Sequence, residues 1–268
     1  MRWRWMGLAM VVVVGQVWAA EEHPARARAL AEVTAVAPGG SFWVATELTM
    51  REGWHVYWIN PGDSGLPPTT EWEVPEGVEL GPVQWPYPQA FRVGPLVSLG
   101  YEGRVLLMQE VRVPTSMAAG QELVLRGKVS WLVCEDVCLP GSGEVEVRVP
   151  VRAEGGELDR GVEEAFAATR AAWPVPLTEG AVTARVEEGV LVLTGGWEAA
   201  EGMVFFALAE GLVRLAEPQT LVRKEGGFEL RVVLERADGL RGGTVAGVLV
   251  SEKGFAEFGG RKAVSFEA

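Results

Sequence analysis

Cysteine and histidine are both scarce in this chain, with two of each among 268 residues. Two histidines leave little room for a Ser–His–Asp triad, and no G-x-S-x-G elbow is present, so a conventional hydrolase is excluded. A glycine-rich phosphate loop between a strand and a helix is also missing, which removes the usual nucleotide-binding device. Positive charge is in deficit: 24 Lys and Arg stand against 36 Asp and Glu, a formal charge of −12. Such a chain gains nothing from counterion release, so neither nucleic acid nor an anionic membrane surface is expected as a partner. The acidity serves solubility. Long apolar runs are lacking too. The run from Met6 to Val14 is too short to span a bilayer, and no later segment is long and apolar enough.

That short run has a different meaning. It follows Arg2 and Arg4 and precedes Ala19 and Ala20, the order of a secretory signal peptide over residues 1–20. Its removal takes away two arginines, shifting the charge to −14, and leaves about 248 residues. The expected product is exported, without a membrane span, in a compartment where a disulfide persists. Its length suggests two domains, each with enough aliphatic residues for its own core. One short disulfide is not needed to stabilise a chain of that size.

Period-two patterns dominate. In "SFWVATELTM", Phe42, Val44, Thr46 and Leu48 alternate with Trp43, Ala45 and Glu47. "WHVYWI" is apolar on both faces and reads as a central strand. In "ELVLRGKVSWLV", Leu123, Leu125, Val129, Trp131 and Val133 share one face, with Arg126, Lys128, Ser130 and then Cys134 on the other. "GEVEVRVPV" alternates Val145, Val147 and Val149 with Glu144, Glu146 and Arg148. Separated by "APGG", "NPGDSGLPP", "VPEGV" and "PGSG", these read as antiparallel strands of a β-sandwich. Trp54, Trp58, Trp72, Trp85 and Trp131 are expected in the core. One helix is expected within Glu157–Trp173, where Val162, Phe166, Thr169 and Trp173 recur at helical spacing before Pro174. Strands then resume, with hairpin turns at Glu188–Gly189 and near Gly226–Gly227. The chain divides into a first β domain over 27–152, a linking helical segment over 153–178, and a second, smaller β domain over 179–268. The fold class is all-β.

The cysteines sit together in "SWLVCEDVCLPGSG". By alternation Cys134 ends a strand on the face away from the core stripe, and the next strand is expected near Gly143. Cys138 can then fold back onto Cys134 in a tight hairpin. A disulfide closing so small a loop stabilises by only about 2 kcal/mol before strain, which suits reversible redox work better than stapling. Glu135 and Asp136 disfavour a nearby thiolate by like-charge repulsion, which Lys128 and Arg126 on the same strand face could offset. Three readings stand on spacing alone: a structural disulfide, a redox dithiol, and a metal site. Two thiolates suit Cu(I), whereas zinc wants four ligands, and His23 and His55 are both distant in sequence.

The blocks "GWHVYWINPGDSGLPPTTEW", "GPLVSLGYEGRVLL" and "WLVCEDVCLPG" resemble the N-terminal periplasmic domain of the thiol:disulfide interchange protein DsbD, in the branch that includes the copper-sensitivity suppressor proteins. The resemblance covers residues 27–150 best. It implies an immunoglobulin-like sandwich in the periplasm, with no cofactor. It implies that Cys134 and Cys138 are a redox pair, taking electrons from a membrane-embedded reductase and passing them to thioredoxin-like periplasmic proteins. Cys138 is expected to be the sulfur joined to partners. It also implies a cap loop with an aromatic shield. "YPQAFRVG" falls at its place, making Phe91 the candidate, Tyr87 the alternative, and Tyr101 a residue that could pack near the pair. "NPGDSGLPP" either flanks the cysteine hairpin or rigidly connects two strands. The family's chain continues into transmembrane helices and a thioredoxin-like domain, whereas this sequence stops at Ala268, so the donor is expected to be a separate membrane-embedded thiol reductase. The competing reading is a non-catalytic binding module, for a protein or copper, with a structural disulfide.

Overall fold

The computed structural model describes residues 23–235 and 243–268. The expected signal peptide lies outside the described residues. Ten strands come first: β1 (Ala25–Ala31), β2 (Ser41–Met50), β3 (His55–Gly62), β4 (Thr69–Glu73), β5 (Glu79–Leu80), β6 (Gln89–Val93), β7 (Leu96–Glu102), β8 (Arg104–Arg112), β9 (Glu122–Cys134) and β10 (Cys138–Pro150). A helix, α1 (Glu163–Ala171), follows. Then come β11 (Val175–Pro176), β12 (Val182–Glu187), β13 (Val190–Gly195), β14 (Val204–Ala207), β15 (Thr220–Lys224), β16 (Gly227–Val233), β17 (Ala246–Phe255) and β18 (Arg261–Glu267).

The first ten strands make two facing sheets. One runs β1-β2-β8-β5, the other β10-β9-β3-β7-β6, with β4 also paired to β9. Leu48 and Met50 of β2 and Val105 and Leu107 of β8 pack across the gap against Val56, Leu99, Val129, Trp131 and Val133. Burying each such side chain is worth about 1.5–3 kcal/mol over leaving it exposed. Trp58 and Trp131 are buried, and Trp54, Trp72 and Trp85 pack at the rim of the same cluster. β2 is buried on both faces because α1 covers its outer side, where Phe166 meets Ala45, Leu106 and Met108. Glu47, on that outer side, is buried in ion pairs with Arg28 and Arg104. The helix is shorter than its pattern suggested, because Val162 caps it without a side-chain hydrogen bond and Trp173 lies beyond its end.

The remaining strands form two four-stranded sheets, β11-β18-β17-β14 and β12-β13-β16-β15. Leu191, Leu193, Phe205, Phe228, Leu230, Leu249 and Val264 fill the space between them. The β12–β13 turn needs left-handed backbone at Glu188 (φ 49°) and Gly189 (φ 81°), the geometry that matches strand twist in a two-residue hairpin. The protein is thus an immunoglobulin-like sandwich, a linking helix and a second β unit, all-β as the patterning implied.

The two units share packing. Phe206, Val248, Val250 and Ala263 join the apolar cluster of the first sandwich. β3 pairs with β7 only as far as Tyr57 and resumes at Gly62, so Trp58–Pro61 bulge from the ladder. The bulge turns Asn60 toward the second unit, where its Nδ2 donates to the carbonyls of Ala207 (2.8 Å) and Ala209 (3.3 Å). Its Oδ1 accepts from the Gly62 amide at 3.0 Å. Asn60 is buried, and truncating a buried partner costs about 1–3 kcal/mol. Asn60→Ala is expected to lower unfolding stability by that amount in urea titrations. An unchanged midpoint would remove Asn60 as a link between the units.

Candidate functional site

The β9–β10 hairpin pairs without interruption from Glu122↔Pro150 to Cys134↔Cys138. Only Glu135, Asp136 and Val137 lie in its tip, closed by the Glu135 amide donating to the Val137 carbonyl at 3.2 Å. The second strand therefore starts at Cys138, not near Gly143. "PGSG" is strand because its glycines make room for Trp131 directly across the ladder: a Cβ on Gly141 would lie 2.4 Å from that indole. Pro140 is tolerated because β10 is the outermost strand of its sheet.

This register closes the Cys134–Cys138 disulfide, with Cα atoms 4.2 Å apart. That spacing fits the closer class of facing residues in an antiparallel ladder, about 4.5 Å. The two sulfurs have unequal surroundings. Cys134 lies on the face away from the core stripe, yet it is only 2% exposed. Cys138 is exposed at the tip, flanked by Val137 (59% exposed) and Leu139 (38%).

Cys134 is covered by β3. His55 stands directly opposite it across the ladder. Tyr57, two residues on and so on the same face, directs its hydroxyl to Cys134 Sγ at 2.7 Å and lies 3.5 Å from Cys138 Sγ. Burial pushes the Tyr57 hydroxyl above the usual phenol range, with Ser98 and Ser64 opposing that shift as hydrogen-bond partners. The Tyr57 ring lies against the backbone of Gly65 (φ 112°), where an added Cβ would come within 2.1 Å of it. The "NPGDSGLPP" loop thus both connects β3 to β4 and touches the site. His55 is buried, with its pKa lowered by desolvation. Its ring stacks on Phe91 at 4.6 Å and 7° and meets Tyr57 edge-on at 5.4 Å.

Phe91 belongs to β6, which is fastened from outside its own sheet. The Tyr87 amide donates to Ala172 at the end of the helix, and Arg92 Nη2 donates to Ala216 of the second unit at 3.1 Å. Of the sequence-predicted residues, the structure brings together Cys134, Cys138 and, through His55, Phe91. Tyr87 and Tyr101 lie elsewhere. Tyr101 is a core residue donating its hydroxyl to the Pro86 carbonyl at 2.7 Å, and Tyr87 packs at the cluster's rim. Lys128 and Arg126 do not reach the pair: six and eight residues back along a strand is roughly 20 Å or more. Arg126 is instead paired with Glu146 at 2.9 Å.

His55 and Tyr57 are the residues that sequence reasoning missed. "WHVYW" placed both on one face of a central strand, and that was the available signal. Which strand would lie beside them was not written there. Among the described residues, no group of three or more His, Cys, Asp or Glu side chains forms a metal-holding cluster.

A lowered histidine pKa means that the folded state resists a proton the unfolded chain accepts near pH 6.5. The associated stability is complete above pH 6.5 and declines as the pH falls from there toward the folded-state pKa. Urea midpoints of the wild type are expected to drop between pH 7.5 and 5.5, and the drop to shrink in His55→Phe. Parallel curves for the two proteins would refute this.

Residues 24–150 match the family model described as thiol:disulfide interchange protein DsbD, N-terminal. Among solved structures, the N-terminal periplasmic domain of ScsB from Proteus mirabilis superposes with a TM-score of 0.61 at 17% identity, covering 95% of this chain and 96% of that one. At that identity the likeness is one of fold. The major pilin subunit BcpA of Bacillus cereus aligns with a TM-score of only 0.30 at 8% identity, over 85% of this chain and 60% of that one. No curated protein sequence matches significantly. Among the described residues no helix is long and apolar enough to cross a membrane. With its hairpin disulfide inside the matched span, the sandwich of residues 24–150 belongs to the DsbD N-terminal family.

Proposed function

We propose that this protein is a periplasmic thiol–disulfide exchange module that relays electrons through Cys134 and Cys138. The observation that carries the reading is the asymmetry of the disulfide: Cys138 is exposed at a hairpin tip while Cys134 is buried under Tyr57. A visiting thiolate can approach only the exposed sulfur. It attacks Cys138 Sγ, the Cys134–Cys138 bond breaks, and the electron pair leaves on Cys134. The Tyr57 hydroxyl, already directed at Cys134 Sγ, can donate to the charge that develops there. The product is a mixed disulfide between Cys138 and the partner. Closing so small a loop adds little stability, about 2 kcal/mol, so a bond placed there is better explained by chemistry than by stapling.

The partners are thioredoxin-like periplasmic proteins on one side and a separate membrane-embedded thiol reductase on the other. The apolar side chains of Val137 and Leu139 border the exposed sulfur and offer such a protein a contact surface. Phe91 acts as the shield, lying flat on His55 beside the pair and held through β6. Docking has to displace that aromatic or pass beside it.

Single-cysteine variants test this reading. Cys134→Ser is expected to trap a mixed disulfide with a thioredoxin-like protein through Cys138, and Cys138→Ser to trap none. The reduction potential is expected above about −300 mV, outside the range of structural disulfides. No trapping in either variant, with a potential below that value, would make the bond structural and end the proposal. Tyr57→Phe is expected to slow reduction by dithiothreitol by about tenfold, the equivalent of one lost hydrogen bond to a charged group.

A further inference from the structure

His55 has a buried nitrogen with nothing to bond. The residue is 3% exposed, and its Nε2 finds no hydrogen-bond partner. Orphaned buried polar atoms cost free energy and call for an explanation. The position of this one supplies it. His55 and Cys134 face each other across the β3–β9 ladder, and side chains so placed have Cβ atoms about 4.5–5.5 Å apart. In the disulfide, Cys134 Sγ carries no proton and can donate nothing. In the dithiol the same sulfur carries an S–H. With the pair oxidised, Nε2 is thus without a hydrogen-bond partner, and the ring is held in place by the Phe91 stack and the Tyr57 edge.

We propose that His55 Nε2 accepts the Cys134 thiol proton and so frees that sulfur to close the disulfide and expel the partner. The inference rests on the exchange reading above and adds a residue to it. The reduced protein starts with Cys138 as the attacking sulfur on a partner disulfide, giving a Cys138–partner mixed disulfide and one reduced partner sulfur. Cys134 S–H then passes its proton to Nε2. The electron pair left on Cys134 Sγ attacks Cys138 Sγ. The Cys134–Cys138 bond forms and the Cys138–partner bond breaks. The partner's sulfur leaves with the electron pair and takes the proton back from the imidazolium. The partner disulfide is reduced to a dithiol and the protein's own pair is oxidised, so electrons and protons balance.

The charged and titratable groups around His55 fit this role. Cys134 faces it from β9, and Tyr57 is its neighbour on β3. Glu102 stands opposite on β7. The Glu135 carboxylate, from the hairpin tip, lies against Gly53 just ahead of His55. β6 contributes the Phe91 ring, while Arg92 is engaged with the Ala216 carbonyl. Burial keeps the imidazole neutral near pH 7 and able to accept. Two acids and an aromatic face can steady the short-lived imidazolium. The same acids disfavour a standing Cys134 thiolate, which is why a base is needed at the moment of closure.

The test is a stopped-flow reaction of the fully reduced, full-length protein with dithiobis-nitrobenzoate, an aromatic disulfide whose thiolate is coloured. Capture of the probe releases one thiolate, and closure of Cys134 onto Cys138 releases a second. In His55→Gln and His55→Phe the second release is expected to slow about tenfold or more, the lower end of general-base effects. It should also lose its dependence on pH below neutrality, while the first release stays within about twofold of wild type. An unchanged second release in both variants overturns the role of His55 and leaves exchange standing. A first release that survives in Cys138→Ser and does not lead to closure in the wild type overturns the exchange reading itself. A readout free of folding artefacts comes from nitrogen NMR of the wild type. The His55 Nε2 resonance should move on reduction, and the movement should vanish in Cys134→Ala. A resonance that ignores reduction overturns the proposal whatever the variants do.

Discussion

Strand register at the end of β9 is the constraint on which the site depends. Cys138, Cys134 and His55 are consecutive neighbours across three strands. A slip of one residue in either pairing would turn each side chain to the opposite face, parting the sulfurs and sending His55 into the core. The register is fixed by packing well behind the sulfurs. Trp131 lies over Gly141, and His23, at the edge of the same indole, holds the Pro140 carbonyl at 3.3 Å. Beyond β3, Gly65 leaves room for the Tyr57 ring, whose hydroxyl reaches the pair. Gly141 of "PGSG" and Gly65 of "NPGDSGLPP" are therefore spaces for aromatic rings near the sulfurs.

The second constraint is polarity. One sulfur faces solvent and the other is enclosed by a phenol and an imidazole whose charged forms are both disfavoured by burial. A pair built this way separates two tasks. In the proposed exchange the outer sulfur would meet the partner, and the inner one would give up bonding electrons and a proton within a fixed environment. Burial also explains why the basic residues of β9 are not needed at the site. They lie a long way back along the strand, where Arg126 is paired with Glu146. The second unit and the helix contribute through β6, since Ala216 and Ala172 accept hydrogen bonds from the segment that carries Phe91. Asn60 adds a third tie between the units, from the bulge of the strand that carries His55 and Tyr57.

Much of this architecture was legible in the chain. Period-two alternation identified β2, β9 and β10, the Glu188–Gly189 turn emerged where its dipeptide stood, and "WHVYWI" proved to be a central strand. That the two cysteines can bond was legible too, because a tight hairpin brings residues four apart face to face, although spacing alone also allowed a metal site. Other features were hidden for physical reasons. Glycine reads as a turn unless the large side chain across the ladder is known, so β10 was started too late. Alternation tells which face Cys134 occupies but not what covers that face, so a buried sulfur was expected at the surface. Tyr101 and Phe91 look alike in sequence. Only the pairing of β6 and β7 separates a core phenol bonded to Pro86 from an aromatic stacked on His55.

The chain by itself determined an all-β product with one helix, an acidic surface, and a lone pair of cysteines close enough to bond, since these follow from local pattern and composition. Tertiary structure decided which sulfur is accessible, which side chains attend the other, and what holds the aromatic beside them. Those properties belong to contacts between strands far apart in sequence: His55 and Cys134 are separated by most of the sandwich and become neighbours only when β3 pairs with β9.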